Sequence, residues 1–346
     1  MTHLKPDDTL SVGSINLILF AARQQGADAD MLARAVGITP DQLRDPDGRV
    51  LIRQVQALWR EVVSVTNDPA ITLKLGELVN PLTLGVLAYV MMHSPTLGKA
   101  FDKLCHYQAI ACEGVQTTGK LIPSDDPSSS TYILSLHITS PDIIYVDHTL
   151  NSELSIYLSV IRALTGQQIT AQEIRFAYPR PANTCEHERV FGPAKLTFDA
   201  NETAMLLDAT ILDTPILNAN PNLFPLFEKH ASDILSQLQT PSLKSRVKAE
   251  IVSMMKGEEP ALTTIADRLA MGVRTLQLHL KDGGTTYQQL LDETRKELAI
   301  SHLREPNFST TDIAYLLGFA EPSVFFRSFK KWTGQTPGAY RLAQAW

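Results

Sequence analysis

Apolar residues recur at helical spacing through most of the chain. Residues 11–25 (SVGSINLILFAARQQ) read as a helix that stops at Gly26, and residues 29–36 read as a second helix closing at Gly37. After the turn Asp45-Pro46-Asp47-Gly48, residues 51–66 carry Val55, Leu58, Trp59, Val62 and Val63 at helical spacing. Asn80-Pro81-Leu82 breaks the pattern. Helices over 84–93 and 95–109 follow, the second with Leu97, Phe101, Leu104, Cys105 and Gln108 along one face. The period then shortens to two, which predicts strands over 114–122 and 131–139; in the second, Tyr132, Leu134, Leu136 and Ile138 alternate with Ile133, Ser135, His137 and Thr139. The polar run PSDDPSSS between them reads as a hairpin loop. A helix over 150–164 ending at Gly166, a strand over 173–178 (EIRFAY) and a short strand around Phe191-Gly192 and 195–198 come next. Residues 220–238 are helical, with Leu223, Leu226, Phe227, His230, Ile234 and Leu238 spaced for one buried face. Thr240-Pro241 makes the best domain boundary.

Beyond that break one pattern is written twice. Ile265-Ala266-Asp267-Arg268-Leu269-Ala270-Met271 followed by Leu276 and Leu280 matches Ile313-Ala314-Tyr315-Leu316-Leu317-Gly318-Phe319 followed by Phe325 and Phe329. The offset grows by one residue between the two blocks, so the inter-helix turn is one residue longer in the second copy. Each copy is a short amphipathic helix, a tight turn and a second short helix, the order of a helix-turn-helix. A helix over 242–255 precedes the first copy, and a long one over 286–304 separates the two. Thr263 or Thr264 would cap the first helix of copy one, which buries Ile265, Leu269 and Ala270, and Gly272 supplies its turn and can itself serve as an N-cap. Thr310 or Thr311 would cap the first helix of copy two, which buries Ile313, Ala314, Leu316 and Leu317. At 1.5 Å per residue the separating helix spans about 28 Å, near the ~34 Å between successive major-groove faces of one DNA side. Two such units predict a protein that sets two helices into DNA.

The expected architecture is therefore an α+β domain over 1–240 followed by an all-α DNA-binding domain over 241–346. Its helix-turn-helix units lie at about 262–281 and 310–332. Charge agrees in direction: 14 Lys and Arg stand against 11 Asp and Glu from Ser242 onward, and 17 against 26 before it. A mildly basic end on an acidic body suits nucleic acid at one end only. No run of eighteen apolar residues is present and the N-terminus lacks a signal-peptide pattern. The three cysteines, Cys105, Cys112 and Cys185, have no paired CxxC spacing, which points to a reducing cytoplasm without a disulfide or zinc framework.

On a helical wheel Leu276 and Leu280 point inward, which turns Arg274, Thr275, Gln277, Leu278 and Lys281 toward DNA. In the second copy Phe325, Phe329 and Trp332 form the core side, while Ser323, Arg327, Lys330 and Lys331 face out. Arginine reads guanine O6 and N7 bidentately, and lysines neutralise phosphates. In the front domain, His137, Arg175, Tyr178 and Arg180 would bind an anionic effector if the strands line a cavity. Cys185-Glu186-His187-Glu188 is a metal clip or a surface loop, and the loop is the simpler reading. Cys105 and Cys112 share a helix face if the helix extends that far, as buried small residues rather than a redox pair. No HExxH, GxSxG, P-loop or GxGxxG occurs; neither catalysis nor a cofactor or resident metal is expected.

The second unit, IAYLLGFAEPSVFFRSFKKWTGQTPGAYR, closely resembles the signature of the AraC/XylS family of transcriptional regulators, through Gly318-Phe319, Phe325, Arg327, Phe329, Trp332-Thr333-Gly334, Pro337 and Tyr340-Arg341. The first unit fits the family's first unit. Residues 82–107 and the stretch ILDTPILNANPNL resemble the arabinose-binding type of N-terminal domain, in the branch of the ornithine-utilisation regulators. The resemblance implies a cytoplasmic, homodimeric regulator of promoter DNA under a small-molecule effector, activating through RNA polymerase. Two alternatives accompany it: an enzyme carrying such a DNA-binding module, which would need a zinc-binding cysteine set, and a regulator whose front domain only mediates association. The family usually carries arginine where Leu278 and His279 stand, and serine caps where Gly272 and Ala320 stand. Leucine touches a thymine methyl but cannot bond guanine, so the first unit should contribute less base-specific energy than the second.

Overall fold

Short polar residues start the first helices. Ser11 accepts a hydrogen bond from the Ser14 amide to open α1 (Val12–Gln24), Asp28 does the same for α2 (Ala29–Ala35), and Thr39 with Gln42 closes a capping box on α3 (Pro40–Arg44). Strands β1 (Thr9–Ser11) and β2 (Arg49–Leu51) pair antiparallel beside them and lead into α4 (Ile52–Thr66). Ile15, Ile18, Leu58, Trp59 and Val62 form the core of this group. The computed structural model describes residues 8–124, 130–239, 243–255, 257–304 and 308–343. The Thr240-Pro241 break, most of the 123–130 loop and the first seven residues lie outside them. The chain divides into two compact units, one within residues 7–239 and one within 240–346.

The rest of the first unit is a sheet with helices packed on it. Helices α5 (Leu75–Leu78), α6 (Val86–Met92) and α7 (Leu97–Tyr107) precede the hairpin of β3 (Val115–Ile122) and β4 (Thr131–Ile138), whose register runs from Val115 opposite Ile138 to Ile122 opposite Thr131. Helix α8 (Val146–Thr165) is longer than its apolar pattern suggests and stops at Gly166, where φ is 67°. Then come β5 (Glu173–Arg175), α9 (Cys185–Phe191), β6 (Lys195–Thr197), β7 (Thr203–Asp208) and α10 (Phe224–Gln239). The sheet order is β3-β4-β7-β5-β6, antiparallel except for β5 with β6.

Several expectations change here. EIRFAY is a strand only over its first three residues. Phe191 ends a helix rather than starting a strand, and the Cys185–Glu188 cluster lies on that helix, not in a loop. Strand β7 occupies the middle of the sheet although its sequence, TAMLLD, shows no alternation; five of its six residues are buried, as a strand covered on both faces must be. On α10 the core side is Ala231 and Leu235, with Phe227, Ile234 and Leu238 partly covered, while Leu226 and His230 are exposed, as is Leu223 just before the helix. Helix α7 ends before Cys112, so Cys105 and Cys112 share no helix; both are free thiols, Cys112 buried.

The second unit is all helical: α11 (Leu243–Met254), α12 (Leu262–Arg268), α13 (Val273–Asp282), α14 (Tyr287–Arg304), α15 (Thr310–Leu316), α16 (Pro322–Thr333) and α17 (Pro337–Ala343). It has two small cores. Val247, Ile251, Ile265, Leu276, Leu280, Leu290 and Leu291 form one; Ala299, Leu303, Ile313, Leu317, Phe319, Phe325 and Phe329 form the other. Helix α14 gives its first half to one and its second half to the other. Phe325 and Phe329 are fully buried, each contributing on the order of 2–3 kcal/mol.

Candidate nucleic-acid interface

The two helix-turn-helix units close their turns with one device. In copy two the Phe319 amide donates to the Ala314 carbonyl at 3.1 Å and the Gly318 amide to Tyr315 at 2.9 Å. In copy one the Met271 amide donates to Ala266 at 2.9 Å and the Ala270 amide to Asp267 at 3.0 Å. Both are Schellman caps, which need a left-handed residue just past the helix. Copy two supplies Gly318 at φ 72°; copy one supplies Ala270 at φ 54°. Ala270 is accordingly exposed rather than buried with Leu269, and Ala266 takes the core position; Gly272 is the N-cap of α13, as expected, while the left-handed turn residue is Ala270.

The caps also differ from expectation. Ala261, without a side-chain cap, opens α12, so neither Thr263 nor Thr264 serves. Ser309 and Asp312 form a capping box on α15 in place of Thr310 or Thr311, because the helix begins one residue later than Ser309 rather than at the threonine pair's end. Glu321, not Ala320, is the N-cap of α16, and its carboxylate accepts from Ser323 Oγ at 3.2 Å. Leu316 is exposed at 38%, and Trp332 is only half-buried, beside Phe319.

The reading faces stand clear of the cores. Leu276 and Leu280 anchor α13, and Arg274, Thr275, Gln277, Leu278 and Lys281 are all exposed, Leu278 at 55%. Phe325 and Phe329 anchor α16, and Ser323, Arg327, Lys330 and Lys331 are exposed beside Val324 and Phe326. Among the described residues, Arg274, Lys281, Arg327, Lys330 and Lys331 have no acidic partner within 4 Å. Elsewhere in the unit Lys244, Lys248, Arg268 and Arg295 are each paired, with Glu293, Glu293 and Glu297, Glu250 and Glu259 respectively. Among the described residues Arg246, Lys296 and Arg304 also lack a carboxylate within 4 Å, so free positive charge includes the two outward faces without being confined to them. Helix α14, with 18 residues, spans about 27 Å.

One residue that pattern reading missed organises copy two. Arg295, in the middle of α14, is 4% exposed; its Nε donates to the Leu317 carbonyl at 2.9 Å, and its Nη2 to the Gly318 carbonyl and Glu259 Oε2, both at 3.0 Å. Its guanidinium lies 4.3 Å from the centre of the Phe319 ring. It therefore satisfies carbonyls at the end of α15 and fixes the turn that aims α16. Arg341 does similar work on Leu303 and Phe308 carbonyls at 3.1 and 2.7 Å. A signal was present: Leu291, Arg295 and Ala299 share one face of α14, and a charge in that buried row needs a partner.

The four effector candidates do not form one site, although Tyr178 and Arg180 both flank the Phe198 ring. His137 is exposed on β4, opposite Gln116 of β3. Arg175 is held by Glu173 at 2.9 and 3.1 Å; burial pushes the Glu173 carboxyl up, but hydrogen bonds from Thr197, Lys195 and Arg175 outweigh this and hold it at about 2. Tyr178 is buried, its hydroxyl between Asn151 at 2.5 Å and His187 Nε2 at 3.0 Å, and burial pushes its pKa up. Arg180 is exposed over the Phe198 ring. His187 is thus a core partner of Tyr178, and among the described residues no group of three metal-ligating side chains assembles. No described helix is long and apolar enough to cross a membrane.

Comparison with known proteins agrees with this geometry. Residues 26–216 match the family described as the arabinose-binding domain of AraC transcription regulator, N-term, and residues 265–343 match a helix-turn-helix domain family. The chain is 28% identical to the ornithine utilization regulator of Pseudomonas aeruginosa over 97% of both proteins. It is 24% identical to the HTH-type transcriptional regulator VirS of Mycobacterium tuberculosis over 92% of both. Among solved structures it is similar to the transcriptional regulator CdpR of Pseudomonas aeruginosa, at 21% identity and a TM-score of 0.44, with 90% of this chain and 96% of that one covered. The chain belongs to the AraC family of transcription regulators.

Proposed function

We propose that residues 241–346 bind promoter DNA through α13 and α16, and that residues 1–240 sense a small-molecule effector and pair two copies of the chain. The carrying observation is the set of unpaired cations on the two outward helix faces. Arg327 reads base edges, Lys330 and Lys331 hold phosphates, and Arg274, Thr275, Gln277, Leu278 and Lys281 seat the first helix in the neighbouring groove; Ser323 adds a short polar contact. Effector binding changes how paired C-terminal domains sit on their half-sites, and the outcome is activation through contact with RNA polymerase. The protein works in the cytoplasm and is not an enzyme.

Nuclease footprinting on the DNA flanking its own gene tests this reading. Two adjacent protected half-sites on one DNA side are expected, and the Lys330→Ala, Lys331→Ala double variant should weaken binding to all sequences alike and reduce the slope of log affinity against log salt by about 2. A slope left unchanged by that variant would remove these lysines from the interface, and absence of any protection would remove DNA binding itself.

A further inference from the structure

Inside the first unit lie two small apolar cavities that share part of their lining. The first is walled by Leu87, Met91, Phe101, Leu104, Tyr157 and Ile161, among others; the second by Ile18, Ile52, Val55, Trp59 and Ile143. Glu153 of α8 borders both, with Ser14, Cys112 and Ile156. Among the described residues it is the one charged side chain lining either cavity. Part of its surface is open to the cavities, yet it is enclosed by protein. Burial pushes its carboxyl up to about 7, opposed by a hydrogen bond from Tyr157 one helical turn on, whose hydroxyl lies 3.0 Å from Thr117 Oγ1. Arg49, which like Glu153 lies near Cys112, is spent on Thr9, the Ala109 and Ile110 carbonyls and Glu113.

We propose that Glu153 is the anchor of the effector site and that the effector is a small apolar monoamine, its ammonium on the Glu153 carboxylate and its body in the cavity. This rests on the reading of the first unit as the sensing domain. A carboxyl enclosed in apolar surroundings with no cation beside it is costly to ionise, and a ligand bringing a positive charge with N–H donors removes that cost. The lining rejects the alternatives. A carboxylate ligand would meet a like charge and no cation. A sugar would leave most hydroxyls unbonded against Leu, Met and Phe. A diamine or an amino acid would carry a second charge into the apolar wall. Each cavity has a volume of about 50 Å³, against the ~10–15 Å³ one water needs, so the body is a few carbons.

The test is thermal unfolding of the full chain with primary alkylamines from methyl to hexyl and benzylamine, each beside the alcohol and the carboxylate of the same body, and with 1,4-diaminobutane. A ligand of the native state raises the midpoint with concentration. At least one monoamine should do so at a concentration tenfold or more below its matched alcohol, the carboxylates and the diamine should not, and Glu153→Gln should lose the response while unfolding no earlier than the parent. If every amine is matched by its alcohol or its carboxylate, or if Glu153→Gln keeps the amine response, the proposal is wrong. The unmodified protein's selectivity decides the matter even should the variant fold poorly. Footprinting the same preparations separates the two readings: protected DNA without amine selectivity overturns only the effector assignment, whereas amine selectivity without protection overturns the DNA-binding reading.

Discussion

The two helix-turn-helix units share a turn motif, a core layout and one long helix, and they differ at three places. Copy two has glycine at the left-handed turn position, Gly318, where copy one has Ala270. The turn of copy two is clamped by Arg295, which bonds both Leu317 and Gly318; among the described residues no arginine is bonded to the matching Leu269 and Ala270 carbonyls of copy one. Copy two presents Arg327 in mid-face, copy one Leu278. The first two differences make copy two the better-held unit, and the third is what would make it the more information-bearing one under the proposed function. Duplicated scaffolds need not divide their work evenly: under the proposed function, one helix reads bases and the other holds the register from which the reading is done.

The largest effect expected is that of Arg295→Ala. It strips the Leu317 and Gly318 carbonyls of their donor and Phe319 of its stacked cation, and should cost about 3 kcal/mol, seen as an earlier denaturant transition by circular dichroism. An unchanged transition would show that the clamp is dispensable. Gly318→Ala comes next. Its Cβ would stand 2.6 Å from the Glu258 carbonyl carbon in a backbone at φ 72°, so a loss of about 2 kcal/mol is expected by the same denaturation. Arg327→Ala should cost about 1–3 kcal/mol of operator binding, read by mobility shift at fixed salt, with little change in stability. The mirror experiment in copy one is Ala270→Gly, which relieves a left-handed alanine and should stabilise the protein by about 0.5–1 kcal/mol; a loss of stability would break the equivalence of the two turns. Leu278→Ala is expected to change operator affinity least, by less than about 0.5 kcal/mol.

The doubled unit was legible because 3.6-residue spacing and turn residues repeat together at nearly one offset, and Phe325, Phe329, Leu276 and Leu280 sit where that period puts them. Features set by tertiary contact were not. Strand β7 lacks alternation because both of its faces are covered. Ala270 in a left-handed turn runs against its own preference, so spacing alone put it in the core and gave the turn to Gly272. Ser309 and Glu321 cap their helices because the helices begin elsewhere than the nearest Thr or Ser pattern suggested. In the front unit, candidate residues were chosen by their chemistry, but the cavities assemble from α1, α4, α6, α7 and α8, segments far apart in the chain. His137, Arg175, Tyr178 and Arg180 face other places. Nothing in the spacing of α8 marks Glu153; its enclosure is set by those distant segments.

Base-by-base specificity profiles test the division of labour most directly. Every base pair of the operator is replaced in turn, and affinities are measured at one salt concentration for the parent protein, Arg327→Ala and Leu278→Ala. The account predicts that the steepest positions, each about 1–3 kcal/mol, lie in the half-site under α16, flatten in Arg327→Ala and persist in Leu278→Ala. Steep positions under α13 that flatten in Leu278→Ala, with a greater loss there than in Arg327→Ala, would contradict it.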